Sequence, residues 1–247
     1  MDHQDLLNED VIPDCWKPLA GRTDERESLD AEYVHLFISE PSKERDYWID
    51  RLPRLQRLKY LEVKSRPNQV LFEAICRVPN LERLNIFWSN ITDLAPILSL
   101  RKLTHLNIGS SPKVTSLEPL AKLRSLTALG LTAPKSCSAL EPVGELKGLR
   151  GLWVNAREYT THEYDSLRPL AGLKELVYLS LGGIRSKDRS LDPVSHLSKL
   201  RYLYLAPLRN WPAVEYLSLF QALPNLDCED LRRAATDADF RRANRIR

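Results

Sequence analysis

The chain has 247 residues, of which 43% are hydrophobic and 28% are charged, and its 36 basic and 33 acidic residues leave a formal net charge of only +3. This balance argues against a general polyanion binder, which usually carries a strong basic excess, so nucleic acid is not the partner that we expect. No apolar run reaches the roughly 18 residues that a membrane-spanning helix needs, and we expect no membrane association.

The four cysteines are widely separated and form no CxxC pair, and no histidine stands at ligand spacing from any of them. The sequence therefore predicts neither a zinc site nor a disulfide framework, and no metal or other cofactor is expected. The acidic N-terminal segment lacks the apolar stretch that is typical of a signal peptide. We expect a cytoplasmic protein with reduced thiols that is monomeric when unbound.

Two features precede the main pattern of the chain. Residues 1–32 combine acidic and turn residues with a few apolar anchors, which predicts an N-terminal cap or tail. The segment AEYVHLFISE then alternates between apolar and polar residues, 25 residues before Leu61 and Val63. It predicts a first strand with Leu36 and Ile38 pointing inward, followed by a helix in KERDYWIDRLPRL.

A repeat dominates the rest of the sequence. The frame L-x-x-L-x-[LIV] recurs in steps of 22 to 27 residues, beginning at Leu58, Leu81, Leu103, Leu126, Leu149, Leu176 and Leu200. A second element keeps pace with it in steps of 23, 23, 27 and 24 residues, carrying Pro96, Pro119, Pro142, Pro169 and Pro193. Two independent markers that drift together indicate a true structural repeat.

The physics of this pattern favours a coil of short strands. In L-x-L the side-chain period is two, so the leucines point inward while their neighbours point outward. Proline suits the first turn of a short convex helix, where no N–H is needed. One repeat cannot bury its own apolar face, so neighbours must stack. We predict an α/β solenoid, a right-handed horseshoe of seven to eight repeats over residues 33–231, with terminal caps.

The segment Leu58–Leu205, roughly 60% of the chain, resembles the short bacterial-type leucine-rich repeats of internalins and of phosphatase-regulating repeat proteins. The resemblance implies the fold and is nearly silent on the partner. The asparagine that this family carries at the turn is replaced in six repeats by Ser89, Ser111, Pro134, Arg157, Ile184 and Leu208. We therefore expect the turns from the fourth repeat onward to use other hydrogen-bond partners.

The C-terminal part departs from the repeat. The segment AVEYLSLFQAL has the apolar pattern of a helix, and residues 232–247 are compatible with a helix and rich in arginine. We interpret residues 232–247 as a basic C-terminal cap or tail with a solvated arginine face. A contact with nucleic acid or with an acidic partner is the alternative interpretation.

Residues that flank the inward leucines should face the concave side of the solenoid. A solvent-facing strand position has no folding reason to be aromatic, whereas protein interfaces are enriched in Trp, Tyr and Arg. The predicted partner-binding residues are Phe37, Tyr60, Arg83, Phe87, Trp88, His105, Trp153, Asn155, Arg157, Tyr178, Tyr202 and Tyr204. The alternative is that Trp88 or Trp153 packs over its neighbours as surface filler.

The longer repeat between Leu149 and Leu176 adds four or five residues. Extra length in a solenoid emerges as a loop on one rim, so Tyr159, His162 and Tyr164 could extend the interface. A structurally neutral insertion is the alternative.

No catalytic motif accompanies the repeat: HExxH, GxxxxGK[ST], GxGxxG and GxSxG do not occur, and Cys228 has no evident nucleophile partner. We predict a non-enzymatic module that binds a protein partner on its concave face, for instance as a toxin-neutralising immunity or inhibitor protein. The alternatives are a regulatory or targeting subunit of an enzyme such as a phosphatase, and a nucleic-acid-associated protein that uses the arginine-rich tail.

Overall fold

A computed structural model describes residues 29–38, 43–132, 134, 136–157, 159–226 and 228–246. Most of the predicted N-terminal segment, residues 1–28, lies outside the described residues. The described strands are β1 (Tyr33–Leu36), β2 (Tyr60–Val63), β3 (Arg83–Trp88), β4 (His105–Ser110), β5 (Ala128–Thr132), β6 (Gly151–Asn155), β7 (His162–Tyr164), β8 (Tyr178–Gly182), β9 (Ile184–Ser186) and β10 (Tyr202–Ala206).

Short helices connect these strands. The α-helices are α1 (Lys43–Arg51), α2 (Gln69–Ile75), α3 (Glu141–Gly144), α4 (Asp192–Ser195), α5 (Ala213–Ala222), α6 (Glu229–Thr236) and α7 (Ala238–Ala243). Five 3-10 helices cover Leu52–Arg54, Ala95–Ser99, Glu118–Lys122, Arg168–Gly172 and Leu208–Asn210. None of the helices in the described part of the chain has the length and apolar character needed to cross a bilayer.

The strands form one parallel sheet of eight, in the order β1-β2-β3-β4-β5-β6-β8-β10, and β7 and β9 pair separately. The first leucine of each L-x-L unit stands beside its counterpart in the next strand, and all of these leucines are buried: Leu61, Leu84, Leu106, Leu129, Leu152, Leu179 and Leu203. The predicted α/β solenoid is confirmed. The expected alternation of burial is not strict, because Asn85, Asn107 and Ser180, which stand between core residues, are buried as well.

The first strand exists where the alternation predicts it, but its predicted register is wrong by two residues. Val34 pairs with Leu61 and Leu36 pairs with Val63, so Val34 and Leu36 point into the core in place of Leu36 and Ile38. The predicted helix follows as α1. Pro53, in the 3-10 helix before β2, lies five residues before Leu58, whereas the later prolines lie seven residues before the leucine of their repeat, so the repeat frame does not measure this step.

Proline stands in the first turn of each of the five repeat helices that carry the second element, as predicted. Each of these helices follows a buried leucine, which anchors the convex side to the same core as the strands. The fixed φ of proline suits this position, and its missing N–H leaves no donor unsatisfied.

Side chains and a small second sheet replace an asparagine ladder at the turns. The hydroxyls of Ser89 and Ser111 lie 2.7 Å apart. Further along, β7 pairs with β9, which supplies backbone hydrogen bonds to the fifth and sixth core repeats. The turns of the later repeats thus have other hydrogen-bond partners, as the missing asparagines predict.

The C-terminal end of the solenoid is covered by α5, α6 and α7, so the helices predicted there are confirmed. The hydroxyl of Tyr216 in α5 is buried and donates to the carbonyl oxygen of Leu208 at 2.7 Å. Asp237 caps α7, because its carboxylate accepts from the backbone N–H groups of Asp239 and Phe240. Buried Ile246 returns the chain to the core after α7.

Candidate functional site

The side chains that alternate with the core leucines form what we call the strand face. Parallel pairing aligns them in rows: one row begins the strands, and a middle row contains Glu62, Asn85, Asn107, Gly130, Trp153, Ser180 and Tyr204. Neighbouring strands lie about 4.8 Å apart, so side chains of one row touch each other. The row arrangement therefore decides which strand-face residues remain open to solvent.

The row that begins the strands packs mostly against itself. Tyr60 lies beside Arg83, whose guanidinium is 5.4 Å from the ring centroid, and Tyr178 packs against Tyr202 and Val177. Of the predicted site residues in this row, His105 is only 4% exposed and Tyr202 only 6% exposed. The expectation that these two face solvent is wrong: Tyr202 packs against Tyr178 and Val177, and Nδ1 of His105 lies 3.0 Å from the hydroxyl of Thr104. Any role of the row in partner binding stays a prediction.

Two asparagines lie side by side at the floor of the strand face. The side-chain Nδ2 of Asn107 donates to Oδ1 of Asn85 at 2.7 Å, and both residues are almost completely buried. Oδ1 of Asn107 and Nδ2 of Asn85 have no hydrogen-bond partner within the described residues. A buried polar atom without a partner is costly, so this pair presents an unused acceptor and an unused donor.

Beside Asn107 lies a cavity of about 740 Å³ that we call the aromatic groove. It is lined by Phe87, Trp88, Asn107, Gly109, Ser110, Thr132, Trp153, Asn155, Ala156, Arg157 and Tyr159. Five predicted site residues meet here, from two different repeats: Phe87, Trp88, Trp153, Asn155 and Arg157. Trp88 is 52% exposed, and its ring centroid lies 6.0 Å from that of Phe87.

Glycine at position 109 allows β3 and β4 to approach closely at this groove. A Cβ atom at Gly109 would overlap the backbone carbonyl oxygen of Phe87. Any larger residue would therefore displace the end of β3, which carries both Phe87 and Trp88. The position of Phe87 and Trp88 therefore depends on glycine, which has no side chain, at position 109 of the next repeat.

The connection between β6 and β7 forms one wall of the groove, and two hydrogen bonds to Gly182 hold its beginning in place. Oδ1 of Asn155 accepts from the backbone N–H of Gly182 at 2.7 Å, and the backbone N–H of Ala156 donates to the carbonyl oxygen of Gly182 at 2.7 Å. Tyr159 has a positive φ of 58° and a fully exposed side chain. This large aromatic residue projects into solvent from an anchored segment.

Of the three loop residues that the sequence singles out, only Tyr159 projects freely. Tyr164 is buried and does not face solvent, and burial raises the pKa of its hydroxyl; a role of this residue in the interface stays a prediction. His162 is half-buried, and its Nε2 lies 2.9 Å from the carbonyl oxygen of Cys137. The inserted residues after Tyr159 form β7, which turns these two side chains toward the solenoid.

Two further cavities extend the strand face. One, of about 580 Å³, lies across the β6–β7 connection and includes Tyr204 and Arg209 together with Asn155 and Arg157. The other, of about 460 Å³, lies beside Phe37 and Trp88 and is lined also by Ile38, Arg45, Lys64, Ser65 and Arg66. The remaining exposed predicted residues, Phe37 and Tyr204, thus border cavities adjacent to the aromatic groove.

The charged side chains that line these cavities share one sign. Among the described residues that line the three, the charged ones are all cations: Arg45, Lys64, Arg66, Arg157 and Arg209. Sequence reasoning missed Arg45, Arg66 and Arg209, because they lie in a helix and in turns, where a charged residue carries no signal. The Asn85–Asn107 pair could have been noticed from sequence, because the two asparagines occupy the same position in successive repeats.

The described residues offer no cluster of three or more His, Cys, Asp or Glu side chains that could hold a metal ion. Burial raises the pKa of the Cys76 and Cys137 thiols, which keeps them protonated near neutral pH. What the strand face offers is a surface of exposed aromatic rings and cations, which suits non-covalent recognition.

A family model for the leucine-rich repeat region matches residues 34–234, so the chain belongs to the leucine-rich-repeat family. No curated protein matches it at a significant level. An internalin from Listeria monocytogenes has a similar structure, with 20% identity and a TM-score of 0.56 over 74% of this chain and 60% of the internalin. Internalin C2 from the same organism gives 17% identity and a TM-score of 0.54 over 72% of each chain.

A third similar structure is the ectodomain of the Arabidopsis receptor kinase HAESA in complex with a peptide hormone ligand. It shares 19% identity with a TM-score of 0.50, over 70% of this chain and 28% of that one. These likenesses show the fold. The chain spans about 60% of the length of the first internalin, and its own partner must be inferred from its surface.

Proposed function

We propose that the protein is a non-enzymatic binding module that holds a protein partner on its concave strand face. The observation that carries this proposal is the aromatic groove, in which Trp88, half exposed, stands with Phe87, Trp153 and Tyr159 around one cavity. Large exposed aromatic residues gathered in one concave place are typical of interface hot spots. Leucine-rich repeats of the HAESA ectodomain bind a peptide ligand, which supports a binding role for this fold.

The lining of the groove indicates the chemistry of the partner segment. Phe87, Trp88, Trp153 and Tyr159 offer apolar surface, and Arg157 adds a cation. The groove therefore suits a projecting segment that carries a large apolar side chain.

The more specific role that we propose is neutralisation of a toxin or another enzyme in the cytoplasm. The repeat region occupies residues 34–234, so most of the chain belongs to a fold that presents a surface for recognition. Occupying a partner's functional surface is the simplest consequence of such binding. Once the partner is identified, adding this protein at an equimolar concentration should abolish the partner's activity. An undiminished activity would refute the inhibitory role.

Site-specific photocrosslinking tests the binding proposal. A photoreactive phenylalanine analogue replaces Trp88 or Trp153 in separate variants, and exposed Lys122 on the opposite side serves as the matched control. We expect both groove positions to crosslink to the same protein in an extract of the source cell, and position 122 to give no such product. Equal crosslinking from all three positions, or none from the groove, would refute the proposal.

A further inference from the structure

A fourth cavity, of about 390 Å³, is lined mainly by cations. Its lining residues are Glu163, Arg185, Lys187, Arg189, Arg209, Asn210 and Arg245. Five of these are basic, and Glu163 is the one acidic residue that the described chain contributes to the lining. We call the five basic residues the cationic pocket. They come from three separate parts of the sequence, so the fold has brought like charges together.

Local carboxylates neutralise only two of the five. Nε of Arg185 lies 2.7 Å from Oε2 of Glu163, and Nζ of Lys187 lies 2.6 Å from Oδ1 of Asp165. No ion pair joins the other three, Arg189, Arg209 and Arg245, to a carboxylate of the described residues. Arg189 instead donates to the neutral carbonyl oxygens of Arg209 and Asn210, both at 3.2 Å.

Two of these arginines have a backbone conformation that is rare for residues other than glycine. Arg189 has a φ of 49° and Arg245 a φ of 56°, the left-handed region that glycine usually fills. The backbone N–H of Ile246 donates to the carbonyl oxygen of Arg241 at 2.9 Å, which closes the turn around Arg245 after the end of α7. The cations that line this one cavity repel one another, and an anionic group between them would relieve the repulsion.

The cationic pocket is joined to the strand face through a shared residue. Arg209 lines this pocket and also the 580 Å³ cavity beside the β6–β7 connection. That cavity in turn shares Asn155, Ala156, Arg157 and Tyr159 with the aromatic groove. A segment of a partner that leaves the groove can therefore continue past Arg157 and Arg209 to Arg189 and Arg245.

We propose that the cationic pocket binds an acidic segment of the same protein partner, adjoining the apolar anchor that occupies the aromatic groove. This inference rests on the proposed function and specifies the partner's chemistry: Asp or Glu side chains that follow a large apolar residue. Guanidinium groups form paired hydrogen bonds with carboxylates, which favours this ligand. A protein is favoured over nucleic acid because the pocket is continuous with an aromatic surface and the chain has a net charge of only +3.

Fluorescence anisotropy of a labelled hexaglutamate peptide with the intact protein tests the inference. Hexaglutamine with the same label and an eight-residue thymidine oligonucleotide are measured in parallel. We expect hexaglutamate to bind more tightly than both, and its binding to weaken with rising salt. Absence of hexaglutamate binding, or tighter binding of the oligonucleotide, would overturn the proposal.

Charge reversal locates the binding. The variant Arg209→Glu with Arg245→Glu should weaken hexaglutamate binding at least tenfold. Arg101→Glu with Arg124→Glu changes the net charge equally at exposed positions outside the pocket and should leave binding nearly unchanged. Equal losses in both variants would show a non-specific charge effect and refute the pocket. Where the reversal disturbs folding, Arg209→Gln alone should still weaken binding several-fold.

The affinity for the crosslinked partner distinguishes a failure of this inference from a failure of the proposed function. We expect the Arg209/Arg245 reversal to lower the partner's affinity at least tenfold, mainly through a slower association rate. If the reversal leaves the affinity unchanged while groove crosslinks persist, the acidic-segment inference fails and the binding proposal stands. If groove crosslinks are absent while hexaglutamate still depends on Arg209 and Arg245, the binding proposal fails and the pocket is an independent anion site.

Discussion

The hydroxyl oxygens of Ser89 and Ser111 lie 2.7 Å apart and link two successive turns of the solenoid. Both residues are buried; Ser89 also accepts from the backbone N–H of Ile91 at 3.3 Å, and Ser111 donates to the carbonyl oxygen of Gly109 at 3.0 Å. Each serine replaced by alanine should lower the free energy of unfolding by about 1–2 kcal/mol, because a buried partner loses its hydrogen bond. Urea denaturation of both single variants and the double variant measures this.

The double variant should cost less than the sum of the two single changes, since the second substitution removes a group that the first left unpaired. Strict additivity would contradict a direct bond between the two hydroxyls. Ser136→Ala, at an exposed position in a neighbouring turn, is the control and should change the free energy of unfolding by less than about 0.5 kcal/mol.

Leu129 lies fully buried at the centre of the leucine ladder. Leu129→Asp should unfold the array, because an unpaired carboxylate in the core costs about 4 kcal/mol or more, a large share of a domain's stability. Lys122→Asp, at an exposed position of the preceding repeat, should retain the native circular dichroism spectrum and melting temperature. A cooperative, native-like melt of Leu129→Asp would show that the register of β5 is wrong.

Gly109 and Gly148 form a matched pair for a test of backbone approach. A Cβ at Gly109 would overlap the carbonyl oxygen of Phe87, whereas at Gly148 the nearest atom lies 3.7 Å away. Gly109→Ala should therefore lower the free energy of unfolding by about 1–3 kcal/mol, while Gly148→Ala should change it by less than about 1 kcal/mol. Chemical denaturation of both variants distinguishes them, and equal effects would contradict the close approach of β3 and β4.

Alkaline pH should destabilise the fold. Burial raises the pKa of the Tyr216 hydroxyl above its ordinary value of 10.0, and the charge of Cys228 raises it further, although Arg189 opposes the shift. Burial likewise raises the pKa of Tyr164. Above pH 10 the unfolded chain loses these protons and the folded chain keeps them, so stability that is present below pH 10 declines as the pH rises.

Each such tyrosine should contribute a decline of about 1.4 kcal/mol per pH unit above its ordinary pKa. Urea denaturation between pH 8 and 11.5 measures the slope. Tyr216→Phe should be less stable at pH 8, since the hydrogen bond to Leu208 is lost, but its decline above pH 10 should be shallower. Parallel declines in the two proteins would contradict the raised pKa of Tyr216.

The sequence predicts the repeating fold well because two markers recur in phase, the leucine frame seven times and the proline five times. The middle strands, the burial of their leucines and the proline-led helices follow directly from that pattern. The register of β1 does not, because the long step from Val34 to Leu61 has no second marker to measure it. Periodicity fixes which face a residue lies on, and it cannot fix the length of an unmarked turn.

The candidate site was predictable only in part. Phe87, Trp88, Trp153, Asn155 and Arg157 could be placed on one face from their strand positions, and they do meet in one groove. The burial of His105 and Tyr202 could not be foreseen, because it depends on which side chain stands beside each in the next strand. The cationic pocket joins residues from 185 to 245 and exists only once the last repeats and α7 have packed together.

Trp88 provides the most direct test of the central claim that the aromatic groove binds the partner. Its side chain is 52% exposed, so Trp88→Ala should change the free energy of unfolding by less than about 0.5 kcal/mol. Truncating a central interface aromatic typically costs about 2–4 kcal/mol of binding energy, or roughly 30- to 1,000-fold in affinity. Trp153→Ala should weaken binding similarly, with some loss of stability because Trp153 is half-buried.

The decisive measurement is the Kd for the crosslinked partner, determined by titration calorimetry for the wild type, Trp88→Ala and the control Lys122→Glu, with the melting temperature of each protein. The account predicts an unchanged melting temperature for Trp88→Ala, a Kd raised at least 30-fold, and a wild-type Kd for Lys122→Glu. An unchanged Kd for Trp88→Ala, or a loss of binding that only follows a lowered melting temperature, would contradict it.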